Sequence, residues 1–180
     1  MFKTVSALTV ALAAASSASA LELSVSSAPT EGLPGYTNYT LTLSGAGELN
    51  AMTFEASGEF NQNAFSGVFF DAASPAIKAV FPEIDQQDTY FLFNQSSALI
   101  VTSGEDGTSL RGDLAFQDNK SAGFALAQLV APTGSDVFVF LQGGVGNDAN
   151  TVIFDGNIVP EPASAALLAL GGLAALRRRA

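Results

Sequence analysis

Tyr39-Thr40-Leu41-Thr42-Leu43 decides how this chain folds. Large apolar residues occupy every second position and threonine fills the gaps. An extended strand therefore gains one apolar and one polar face, whereas a helix would scatter the same residues around its surface. The period continues on both sides. Leu21, Leu23 and Val25 alternate with Glu22 and Ser24, and Met52, Phe54 and Ala56 repeat the pattern. Leu110, Leu114 and Phe116 carry it around Gly112, and Val152, Phe154 and Ile158 mark a last strand. Val137-Phe138-Val139-Phe140-Leu141 is apolar without a break, as expected of a strand covered on both faces. Valine and phenylalanine favour a pleated, half-buried surface.

Turn residues punctuate these runs at short intervals: Gly45-Ala46-Gly47, Ser57-Gly58, Ser103-Gly104-Glu105-Asp106-Gly107, Thr133-Gly134-Ser135, and Gly143 to Asn150. Roughly ten short strands with such turns predict an all-β domain, an antiparallel β-sandwich or jelly-roll-like fold. Two segments are candidate helices. Ser74 to Val80 stops at Pro82, and Ala122 to Val130 alternates well enough to be a strand instead.

Both ends of the chain obey other rules. Met1-Phe2-Lys3 is a short positive region, Val5 to Ala15 is apolar, and Ser16-Ser17-Ala18-Ser19-Ala20 closes on small residues. Residues 1–20 thus have the form of a secretory signal peptide. Ala18 and Ala20 form the cleavage site, and Leu21 is the first mature residue. At the other end, Ala163 to Leu176 carries no charge and one polar side chain, Ser164. As a helix these residues satisfy their own backbone groups in lipid and span about 21 Å, against about 30 Å of hydrocarbon core. Local thinning and arginine side chains reaching to the headgroups cover the difference. Arg177, Arg178 and Arg179 hold the far end in the cytoplasm. Pro160 and Pro162 keep Glu161 extended and accessible just outside the membrane.

Val159-Pro160-Glu161-Pro162, a short apolar helix over 163–176 and a terminal arginine cluster resemble the PEP-CTERM sorting signal of bacteria. The resemblance covers residues 159–180. It implies an exported protein that enters the inner membrane transiently, is processed by a membrane-embedded exosortase near Val159 to Pro162, and ends at the cell surface or in an exopolysaccharide matrix. The processing partners would be signal peptidase and exosortase. The stretch from Asp88 to Phe93, with Leu99 to Val101, Ser109 to Gly112 and Ala125 to Val130, is similar to exported all-β domains that often carry such tails.

Between the two ends, residues 21–158 form one domain by length, large enough to bury a core without covalent staples. The chain has no cysteine. All 17 acidic residues fall between Glu22 and Glu161, where Lys78, Arg111 and Lys120 are the only bases. Three positive against 17 negative charges give that portion a net −14, beyond the −10 of the whole chain. Nucleic acid is thereby disfavoured as a partner.

Absent residue types narrow the chemistry further. With neither histidine nor cysteine in the sequence, Ser-His-Asp and Cys-His catalysis and imidazole or thiolate metal sites are excluded. Carboxylates remain. Glu105, Asp106 and Asp113 flank one glycine-rich loop, and Glu83 with Asp85 another. Glycoside hydrolysis needs two carboxyl groups about 5–9.5 Å apart in a cleft, and chance supplies many pairs among 17 acids, so no catalytic residue is assigned. Gly143 to Asn150 is similar to one copy of the calcium-binding β-roll nonapeptide, which makes Asp148 and Asn150 calcium candidates. Asn150 stands where the repeat places a large apolar residue, and a single copy has no neighbour to stack on; a plain hairpin loop is favoured. No other cofactor is expected. Arg111-Gly112-Asp113 spells an adhesion tripeptide but lies inside an apparent strand.

Two functions follow as expectations. The first is a noncatalytic exported protein of the cell surface or matrix. The second is a carbohydrate-binding module, calcium-assisted or not, that holds extracellular polysaccharide. A groove lined by Tyr36, Tyr39 or Tyr90 would favour the second; flat polar faces with those tyrosines buried would favour the first.

Overall fold

The computed structural model describes residues 20–62, 79–93, 95–146 and 148–158. Nine strands run through them: β1 Leu21–Pro29, β2 Tyr36–Gly45, β3 Leu49–Ser57, β4 Tyr90–Phe91, β5 Ala98–Asp106, β6 Ser109–Lys120, β7 Ala125–Pro132, β8 Phe138–Val145 and β9 Asp148–Asn157. Short 3-10 turns occupy Ile84–Gln87 and Gln95–Ser97. Among the described residues there is no α-helix. The alternative strand reading of Ala122 to Val130 is what the chain adopts, because β7 buries both of its faces. The other helix candidate, Ser74 to Val80, falls almost wholly outside the described residues.

All pairings are antiparallel and make two sheets. One has the order β1-β2-β7-β4, the other β5-β6-β3-β8-β9. The alternating apolar residues of both sheets meet in one core. Leu41, Leu43, Leu129 and Phe91 come from the first sheet, and Phe54, Leu110, Leu114 and Leu141 from the second. The closest approach is aromatic. Phe91 packs edge-on against Phe54 with ring centroids 5.4 Å apart. A Cβ on Gly112 would lie 3.0 Å from the Phe91 ring, so β6 has a glycine where the opposing ring presses on its backbone. A second aromatic run, Phe93–Phe116–Phe124, closes one end of the core beneath the ammonium of Lys120, which sits 5.4 Å from the Phe124 centroid.

The strand buried on both faces is β7, not β8. Leu126, Ala127, Leu129, Val130 and Ala131 are all fully buried. On its outer side the segment around Ile84–Gln87 lies across the sheet, so Ile84, Tyr90 and Val130 are buried outside the main core cluster. Side-chain amides hold that segment down. Gln128 Nε2 donates to the carbonyls of Asp85 (2.6 Å) and Asp88 (2.8 Å), Asn38 donates to the Gln86 carbonyl, and Asn61 to that of Gln87. In β8, by contrast, Val139 and Leu141 face the core while Phe138, 37% exposed, and half-buried Phe140 face outward. The expectation that Val137 to Leu141 is covered on both faces is thus corrected: an unbroken apolar run here marks an outward-facing aromatic pair.

Candidate functional site

Strands β5, β6 and β3 lie side by side in the five-stranded sheet, and their register lines up polar side chains on the outer face. Thr102 stands opposite Asp113, and Asp113 opposite Thr53, which faces Gln142 on β8. One step along, Gly104, Arg111, Glu55, Phe140 and Asp155 form the adjacent row. A one-residue irregularity between Ile100 and Thr102 brings Thr102, rather than Val101, opposite Asp113.

The first row is hydrogen-bonded across three strands. Thr53 Oγ1 donates to Asp113 Oδ1 at 2.8 Å, and Thr102 Oγ1 donates to Oδ2 at 2.6 Å. These two bonds, Thr102's first and Thr53's second, hold the Asp113 carboxyl below the ordinary carboxylate range. Next to them Gly104 has no side chain, and the Arg111 guanidinium lies beside the gap; a Cβ on Gly104 would be 3.9 Å from Nη2. The result is an open depression of about 310 Å³ lined by Thr53, Glu55, Thr102, Gly104, Arg111 and Asp113, with backbone at its floor. That volume is at the lower end for small-molecule sites. Its lining carries donors on Thr53, Thr102 and Arg111 and acceptors on Asp113 and Glu55.

Other candidates from the sequence are placed elsewhere. Asp106 caps the β5–β6 turn, its Oδ1 accepting from the Thr108 backbone N (2.8 Å), the Thr108 hydroxyl (2.6 Å) and the Ser109 hydroxyl. The Thr108 bonds lead in drawing its pKa down. Ser109, opposite Asp106, is four residues from Asp113 along β6, roughly 13 Å at strand rise. Asp106 and Asp113 are therefore not a hydrolytic pair, and both are held as carboxylates rather than tuned as acids. Glu83 stands at the N-cap of the Ile84–Gln87 3-10 turn over the opposite sheet, and Asp85 lies within its first turn.

Gly143 to Asn150 is the β8–β9 hairpin. Val145 pairs with Asp148 across two residues, and Gly146 takes φ 61°. Asp148 Oδ1 accepts from the Asn150 backbone N at 3.2 Å, and the Asn150 carbonyl accepts from Gln142 Nε2. Among the described residues no three acidic side chains gather to hold a metal ion. Tyr39 is on one face of its sheet, and Tyr90 and half-buried Tyr36, which pairs with Pro132, are on the other. Tyr39 pairs with Leu129 and points into the core, while Tyr90 pairs with Gln128. Burial first, then Asp85 and Asp88, pushes the Tyr90 hydroxyl up to about 12. Burial likewise raises Tyr39, opposed by a hydrogen bond with Thr37.

Ala20 is exposed and leads directly into β1, whose first residue, Leu21, is buried in the core. Ala18, Val159, Pro160, Glu161, Pro162, residues 163–176 and Arg177, Arg178 and Arg179 lie outside the described residues. Among those described, no helix is long and apolar enough to cross a membrane.

The residues that line the depression were not singled out by sequence, apart from Asp113, noted as an acid, and Arg111, noted within a tripeptide. The sequence places Gly104 in a turn over Ser103 to Gly107; Ser103 to Asp106 instead continue β5, and the turn is confined to Gly107 and Thr108. No protein-family model matches this chain, and no curated protein matches it.

Proposed function

We propose that this chain is a noncatalytic exported protein, delivered by residues 1–20, processed by an exosortase at Val159 to Pro162, and destined for the cell surface or exopolysaccharide matrix. The carrying observation is the ordered tail: Pro-Glu-Pro, an uncharged stretch, then Arg177-Arg178-Arg179. Three features support the reading. The two-sheet body runs from Leu21 to Asn157, between the two proposed addresses. Asp113 and Asp106 are held by cross-strand and turn hydroxyls, which favour their charged forms over proton exchange. Tyr39 and Tyr90 are buried.

Strand order supports a finer reading of the architecture. The arrangement β1-β2-β7-β4 over β9-β8-β3 matches the ABED and GFC sheets of immunoglobulin-type sandwiches, with the β5–β6 hairpin added beside β3. We read the domain as a sandwich of that order, a rigid display unit.

Replacing Arg177, Arg178 and Arg179 by alanine in the producing bacterium tests the sorting role. The variant should be lost from the surface fraction and accumulate with an uncut tail. Unchanged surface delivery would remove the tail from the mechanism. A second reading, a carbohydrate-binding module with or without calcium, is favoured by one observation: the polar depression over Gly104.

A further inference from the structure

We infer that the outer face of the five-stranded sheet binds a neutral polysaccharide, with the Gly104 depression as its principal sugar subsite. The inference deepens the second reading above and rests on it.

Asp113 is fixed by two hydroxyls before any ligand arrives, one on each oxygen. Each oxygen keeps acceptor capacity, so the carboxylate is already oriented to accept from adjacent hydroxyls of a sugar ring. Arg111 supplies donors on the other side of the gap, and Glu55 stands opposite Arg111 in register. A preorganised, alternating set of this kind lowers the ordering cost of binding.

The row does not stop at the depression. It continues from Glu55 to Phe140 and Asp155, with Phe138 exposed two residues away on the same face. Four inter-strand steps from Gly104 to Asp155 cover roughly 19 Å, the length of an extended oligosaccharide rather than one ring. Phe140 and Phe138 offer apolar faces to sugar C–H groups. The sign of the charge selects the polymer. Among the described residues of this face, Asp113, Glu55, Asp155 and Asp106 stand against Arg111, so uronate-rich polymers are repelled and neutral ones are not.

Gly104 allows a clean test. It has no positive φ, and a new Cβ first meets the Arg111 guanidinium at ordinary contact distance, so Gly104→Val fills the gap without straining the strand. Affinity electrophoresis of the full-length chain through gels of mixed-linkage β-glucan, galactomannan, dextran or alginate reads binding directly. Retardation by at least one neutral polymer and none by alginate is expected. Gly104→Val should weaken the neutral interaction about tenfold or more with an unchanged melting temperature. Should that variant fold poorly, the Thr53→Val, Thr102→Val pair serves instead, and Ser26→Val on the other sheet is the control that keeps binding. No retardation by any neutral polymer, retardation by alginate alone, or full binding by the gap-filled and threonine variants would overturn the inference. None of these outcomes depends on export, which cell fractionation reports separately.

Discussion

Gly112 and Phe91 sit on different sheets, so their coupling measures whether those sheets pack as described. Phe91 is fully buried between Phe54 and Phe93. Phe91→Ala removes a ring from a close-packed core and should cost about 3–5 kcal/mol. For a domain of this size that is a fall in melting temperature of about 12–20 °C. Gly112→Ala works in the opposite sense. Its new methyl would lie 3.0 Å from Phe91 Cζ and 3.3 Å from Cε2, closer than most such contacts, so the ring must give by a few tenths of an ångström, and overpacking of this kind costs about 1–3 kcal/mol. In the Phe91→Ala background that ring is gone, and the methyl enters the space it left. The glycine substitution should then cost nearly nothing, giving a coupling of about 1–3 kcal/mol in the double-mutant cycle. Urea unfolding followed by circular dichroism supplies the four free energies, with equal slopes as the check on two-state behaviour. Additive effects would falsify the face-to-face contact and with it the shared core.

Three further outcomes follow from individual groups. Thr53→Val with Thr102→Val removes both donors to Asp113, so its pKa should rise toward the ordinary value near 3.9, read by carboxyl NMR titration. Because the folded pKa is depressed, the stabilisation from these bonds is present above the unfolded pKa and lost as pH falls through the folded one; the double variant should lose that acid-side dependence. Tyr90 is raised to about 12, so its contribution is intact below pH about 10 and lost as pH climbs toward 12. Tyr90→Phe should flatten that alkaline decline in stability, and an unaltered profile would show the hydroxyl is not shielded. Gln128→Leu removes the amide bonds to the Asp85 and Asp88 carbonyls that hold down the Ile84–Gln87 turn and should cost about 1–3 kcal/mol, with faster amide exchange across residues 84–88.

Period-two alternation was enough to foretell the all-β class, because a buried face imposes itself on every second residue. It located most core residues as well: Leu41, Leu43, Met52, Phe54, Leu110 and Leu114 all point inward. It misread Val137 to Leu141, since an apolar run reports how hydrophobic a strand is and not what covers it. What covers β7 is the Ile84–Gln87 segment, held by amide bonds from Gln128, Asn38 and Asn61 that have no local signature. The depression was hidden for a related reason. Thr53, Thr102 and Asp113 are far apart in sequence, and the irregularity after Ile100 decides which β5 residue faces Asp113. Register between strands is a tertiary outcome, so these residues form a row only in the assembled sheet.

Intact-mass spectrometry of the protein recovered from the surface fraction of the cells that make it tests the proposed export and processing at both ends. A mature polypeptide beginning at Leu21 and lacking Arg177, Arg178 and Arg179, with or without an added anchor or glycan, is the expected species. A chain that keeps both its initiating Met1 and its terminal Ala180 would contradict it.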